Sequence, residues 1–162
     1  MSPNMPFPLA PLTIVVGHYG VGKTNFSLNI ALDAAQAGST SEEEGQGGRA
    51  REARAESQGG RAREARAKLI DLDVVNPYFR SSDHRGLLER QGIQLISPCF
   101  AGSALDVPSL SAAIMPAIEA ADAHCPVIID AGGDDQGAVA LGRFANQIAR
   151  RPYAMLSVVN AY

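Results

Sequence analysis

The chain has 162 residues, 46% of them hydrophobic, 19% charged and 6% aromatic. That length fits one domain, and that apolar fraction excludes wholesale disorder. Net charge is −3, from 14 basic and 17 acidic residues, which argues against a dedicated nucleic-acid binder because such proteins are usually basic.

Residues 12–17 (LTIVVG) are a short β-branched run that predicts a buried strand. Residues 23–37 predict a helix closed at Gly38 by a left-handed C-cap. Its apolar positions, Phe26, Leu28, Ile30, Ala31, Leu32, Ala34 and Ala35, cover it widely enough to pack on a sheet. Residues 68–75 (KLIDLDVV) predict a second strand, 85–91 a short helix, and 93–97 a third strand after Gly92. A helix is expected over 107–123, with Asp106 as cap and Pro108 in its first turn. Residues 126–131 (PVIIDA) predict a fourth strand, 136–151 a helix and 153–161 a fifth strand. Strands separated by helices in this way imply an α/β fold with a doubly wound, mostly parallel sheet and helices on both faces.

Residues 40–67 break the pattern. The unit QGGRAREARA at 46–55 recurs unchanged at 58–67. The segment holds six Arg and six Glu and no Val, Ile, Leu, Met, Phe, Tyr or Trp, so it is neutral and has no face to bury. Two units are too few for a solenoid, and each Gly-Gly pair interrupts a helix. It is expected to be a solvated insert in a single domain formed by 11–39 and 68–162. An Arg-rich arm for nucleic acid or a partner is the alternative, but equal Glu cancels the field that phosphate attraction needs.

The strongest chemical signal comes directly after the first strand. Residues 17–24, GHYGVGKT, match G-x-x-x-x-G-K-[ST] between a strand and a helix. Gly17, Gly20, Val21 and Gly22 would supply a backbone cradle for phosphate oxygens, Lys23 would reach the β- and γ-phosphates, and the Thr24 hydroxyl would bind Mg²⁺. Asp130 ends the apolar run Val127-Ile128-Ile129, the position from which an acid holds Mg²⁺ through a water. Gly132 and Gly133 would permit close backbone approach to a γ-phosphate, and Asp134 and Asp135 read as a helix cap or a solvated turn. Asp71 and Asp73, two apart on the second strand, would point to one side and face the carboxyl end of the sheet, where ligands bind in such folds. Cys99 and Cys125 are too few and too distant for a disulfide framework or zinc knuckle, and are expected as buried thiols in a reducing, cytoplasmic setting. No stretch approaches the ~20 apolar residues of a membrane span. Residues 1–11 have four prolines and no basic residue, which does not support a signal peptide.

Taken together, GHYGVGKT, LIDLDVVNPYFRSSD and VIIDAGGDD resemble the Walker A, second-strand and Walker B regions of the MinD/ParA group of P-loop ATPases, the CobQ/CobB/MinD/ParA nucleotide-binding domain family. The resemblance covers about 11–39 and 68–162. It implies a P-loop NTPase fold and binding of ATP with Mg²⁺. Lys23 and Thr24 take the phosphate and metal roles, and Asp130 the Walker B role. Asp73 would orient the hydrolytic water, supported by Asp71. Asn76 and Arg80 fall in the region that senses the γ-phosphate. The family's signature lysine after the first glycine is here His18, followed by Tyr19 in place of the usual Gly. The family also continues beyond the fifth strand, so the chain is expected to be the front portion of a larger domain.

These features predict Mg²⁺-dependent ATP binding and hydrolysis, with a homodimer through the nucleotide face or a protein partner and no signal for nucleic acid or membrane. Two alternatives stand beside this one. A small-molecule or nucleotide kinase would need an acceptor site and an Arg-bearing lid. A non-catalytic adaptor or inactive fragment would bind nucleotide without turnover.

Overall fold

The structure, a computed structural model, describes residues 9–43, 65–73, 84–97 and 110–160, and only the backbone of 38–43. In chain order the elements are β1 (Leu12–Gly17), α1 (Lys23–Glu43), β2 (Ala67–Asp71), α2 (Arg85–Arg90), β3 (Ile93–Ile96), α3 (Ile114–Glu119), β4 (Val127–Asp130), α4 (Asp135–Gly142), α5 (Ala145–Ile148) and β5 (Tyr153–Val158). The five strands form one all-parallel sheet in the order β3-β2-β4-β1-β5.

The two faces of this sheet arise from alternation along each strand. Val15, Leu69, Leu95 and Ile128 point to one face and pack with Ile30, Ala31, Ala34 and Ala35 of α1 and Leu88 of α2. Ile14, Ile70, Ile96 and Ile129 point to the other and pack with Ile114, Ala117 and Ile118 of α3, and with Phe144 and Ile148. The helix after β1 and the helices after β4 therefore cover opposite faces, although β1 and β4 are neighbours. A crevice opens at the carboxyl ends of strands where the chain diverges this way.

Several boundaries differ from those expected. α1 does not stop at Gly38 but runs to Glu43, and Gly38 is not among the glycines with positive φ. One glycine costs a helix about 1 kcal/mol, which does not terminate a helix already anchored on a sheet. Phe26, expected on the packing face of α1, is 37% exposed. β2 ends at Asp71, level with the last residue of β4; Val74 and Val75 lie outside the described residues. Within the described residues, the helix expected over 107–123 is Ile114–Glu119. The Asp122 carboxylate accepts from the backbone N–H groups of His124 and Cys125, at 2.8 Å each, and turns the chain into β4. Asp106 and Pro108 lie outside the described residues. The helix expected over 136–151 is two, α4 and α5, broken where the buried Phe144 turns into the core after Gly142. β5 ends at Val158 rather than at 161.

The insert was expected to stand wholly apart from the core, and its last residues do not. Ala67 is fully buried, opens β2 and pairs with Ile93. The Arg66 guanidinium donates to the Gln91 carbonyl at 3.0 Å, and the Arg66 N–H to the Gly92 carbonyl at 2.8 Å. Residues 44–64 lie outside the described residues. Cys125 is only half-buried; its thiol donates to the Ala65 carbonyl at 3.2 Å. Cys99 lies outside the described residues. Among the described residues no helix is long and apolar enough to cross a membrane.

Candidate functional site

The loop from β1 to α1 is shaped by backbone conformation. Gly20 and Gly22 have φ of 78° and 89°, where a side chain is strained. A Cβ at either position would meet nothing within 4 Å, so conformation rather than crowding requires these glycines. Gly17 sits where β1 pairs with Val158 of β5, and Val21 is half-buried. The Phe26 N–H donates to the Gly22 carbonyl at 3.0 Å, closing the first helical turn directly behind the loop. Lys23, in that first turn, is only 5% exposed, and its ammonium donates to the His18 carbonyl at 3.0 Å. His18 and Tyr19 are exposed at the rim, with His18 Nδ1 3.2 Å from the Tyr19 carbonyl.

Asp130 ends β4 and is fully buried. It stands in register between Val15 of β1 and Asp71 of β2. Ile128 and Leu69 face α1, so Asp130 and Asp71, two residues further on, face it as well. Neither Asp130 carboxylate oxygen has a hydrogen-bond partner among the described residues. Burial pushes this carboxyl up to about 7. The Thr24 hydroxyl pulls it down without closing a hydrogen bond of ordinary geometry, the Asp71 carboxylate pushes it up, Lys23 pulls it down and Asp73 pushes it up. Lys23, Thr24, Asp71 and Asp73 thus all lie close enough to act on one carboxylate.

Asp71 and Asp73 do not stand side by side on a strand as expected. β2 ends at Asp71, whose Oδ1 accepts from the Asp73 N–H at 3.0 Å. This is the turn an Asp makes on its own backbone two residues later. It carries Asp73 past the strand end and fixes its backbone to Asp71. Asn76 and Arg80 lie outside the described residues.

The loop after Asp130 rests on the glycine loop. A Cβ on Gly133 would come within 2.7 Å of the Gly17 carbonyl oxygen and of the Tyr19 nitrogen, and within 2.8 Å of Lys23 Nζ. Gly133 is therefore a point of close backbone contact between the two loops. Asp134 then caps α4, its Oδ1 accepting from the Gly137 N–H at 2.8 Å. The helix-cap alternative for Asp134 is the one adopted.

Among the described residues no three His, Cys, Asp or Glu side chains form a group able to hold a metal ion. The donor set still fits Mg²⁺, which is bound through one or two carboxylates with waters and phosphate oxygens completing its shell. A buried carboxylate without a partner, beside a threonine hydroxyl, supplies the protein's share of such a shell. One buried polar residue of this region, Ser27, is absent from the sequence expectations. A serine among alanines and leucines in a helix reads as a small packing residue. The available signal was its spacing of four from Lys23, on the stripe continued by Ile30, Ala31 and Ala34.

Comparison with family models, with curated proteins and with solved structures finds no match to this chain.

Proposed function

We propose that this chain binds ATP with Mg²⁺ and hydrolyses it, as a P-loop ATPase or switch of the MinD/ParA type. The observation that carries the reading is the buried, partnerless Asp130 carboxylate beneath a glycine loop that also presents Lys23 and Thr24. A buried carboxyl without a partner is neutralised either by a proton, which its raised pKa favours, or by a cation, which would take the proton's place when the carboxylate ionises. The motif resemblance agrees with the same residues.

Each residue then has a defined role. Gly17, Gly20, Val21 and Gly22 present backbone N–H groups to the phosphates. Lys23 exchanges its bond to the His18 carbonyl for phosphate oxygens. Thr24 and Asp130 hold the cation. Bound Mg²⁺ would neutralise charge on the β- and γ-phosphate oxygens. Asp73 accepts a hydrogen bond from the attacking water and orients it, held in place through its N–H on Asp71. Catalysis is positioning and charge stabilisation. A second copy meeting this face would encounter the exposed His18 and Tyr19 rim.

Titration calorimetry with MgATP and an assay of phosphate release test the reading. The parent should bind. Lys23→Ala should lose binding at least tenfold, while Asp73→Asn should retain binding and lose phosphate release by about 10²-fold or more. Parent-like nucleotide binding by Lys23→Ala would sink the proposal. His18, folded on its own loop where the family has lysine, favours a second reading. In that case the parent binds MgATP tightly and releases no phosphate.

A further inference from the structure

Ser27 lies one turn beyond Lys23 on α1. It is fully buried, and its hydroxyl has no hydrogen-bond partner among the described residues. A buried helical serine commonly returns its hydroxyl to the carbonyl four residues earlier. Ser27 makes no such bond to Lys23.

The packing sets the direction it faces. Lys23, Ser27, Ile30, Ala31 and Ala34 are all buried and recur at helical spacing, so they form the stripe that α1 lays on the sheet. Ile30 and Ala31 belong to the same cluster as Leu69 and Ile128. From there Ser27 is one turn, about 5.4 Å, toward the helix N-terminus. Asp71 and Asp130 are two residues, about 6.6 Å, toward the carboxyl ends of β2 and β4. α1 joins the end of one parallel strand to the start of another, so it runs opposite to both. Both steps lead toward the carboxyl ends of β2 and β4, so Ser27 and the two carboxylates lie in the same direction along the face that α1 covers.

We infer that Ser27 is a positioning residue of the cation site. Its hydroxyl hydrogen-bonds a water of the small hydrated divalent cation that Thr24 and Asp130 hold. Three buried oxygens without partners, one on α1 and two on β4, are the complement of one hydrated ion. This inference rests on the function proposed above.

The test uses the full chain with Mn²⁺ as probe, read by the electron paramagnetic resonance of free Mn²⁺ in the presence of a non-hydrolysable ATP analogue. Analogue binding in chelator and ligand-free melting are measured beside it. Ser27→Ala should weaken Mn²⁺ binding about tenfold, the lower end of the effect of outer-shell partners. Its analogue affinity in chelator should match the parent's. Its ligand-free melting temperature should equal or exceed the parent's, because a hydroxyl without a partner is removed. Ser27→Cys, close in volume and a weak hydrogen-bonding group, should lose Mn²⁺ affinity similarly. Mn²⁺ affinity unchanged in Ser27→Ala overturns the inference and leaves the proposed function standing. So does a fall in melting temperature that accompanies the loss, since that marks a packing role. A parent that binds neither analogue nor Mn²⁺ overturns both.

Discussion

Asp130 makes the stability of the protein depend on pH between the acid range and neutrality. Burial raises its carboxyl pKa from the ordinary 3.8 to about 7, so between those values the folded chain holds this proton more tightly than the unfolded chain. The stability that this provides is complete below pH 4 and is lost as pH rises through 7. Each unit within that window is worth up to about 1.4 kcal/mol. Melting temperatures of the ligand-free chain, compared with those of Asp130→Asn between pH 4 and 8, should diverge steadily in favour of the variant as pH rises. Parallel profiles would refute this assignment. A bound cation favours the ionised form and competes with the proton, so stabilisation by MgATP should be larger at pH 8 than at pH 6. At this scale the sequence was readable where a residue type is rare in its setting. An acid closing the run Val127-Ile128-Ile129 stands out, and so does a lysine after three glycines. Ser27 and the contact made by Gly133 did not, because small residues carry little pattern and both depend on what another element brings near.

Elements were legible in proportion to how far their own residues determine them. β1 and β4 sit in the middle of the sheet with both faces covered, so they appear as unbroken apolar runs and their positions were recovered almost to the residue. Helix ends depend on competition between local caps and packing. Gly38 offers a stop that the anchored α1 passes through, whereas Asp122 imposes an unexpected stop after α3. α4 is capped by Asp134, whose carboxylate accepts from the Gly137 N–H. Asp134→Ala should cost about 1 kcal/mol in chemical denaturation. It should also loosen the loop that carries Gly133. A variant with an unchanged denaturation midpoint would show that the cap contributes nothing to this helix.

Across the whole molecule the sheet has two unlike margins. At β3 the Arg85 guanidinium donates to the Leu95 carbonyl and to Ser97 Oγ, at 3.0 and 2.9 Å, and so occupies part of that edge. At β5 Tyr153 and Met155 remain about half exposed, and the strand carries no charge or proline of the kind that guards sheet edges. The insert was legible as coreless, but its junction was not. Ala65-Arg66-Ala67, which leads into the strand residues Lys68-Leu69, docks on the core; the identical Ala53-Arg54-Ala55 is followed by Glu56-Ser57 and lies outside the described residues. Removal of residues 46–57 leaves QGGRAREARAKLID intact ahead of the core. Connection length itself costs little, about 0.6 kcal/mol per doubling. The shortened chain should melt at or slightly above the parent temperature and bind nucleotide equally. A lower melting temperature would mean that the first unit also contributes to the fold. Tandem identical units are also the substrate of slippage during DNA replication. Gain or loss of one twelve-residue step preserves both the reading frame and the docked junction. The length of this chain could therefore change in twelve-residue increments without altering the residues that enter the sheet.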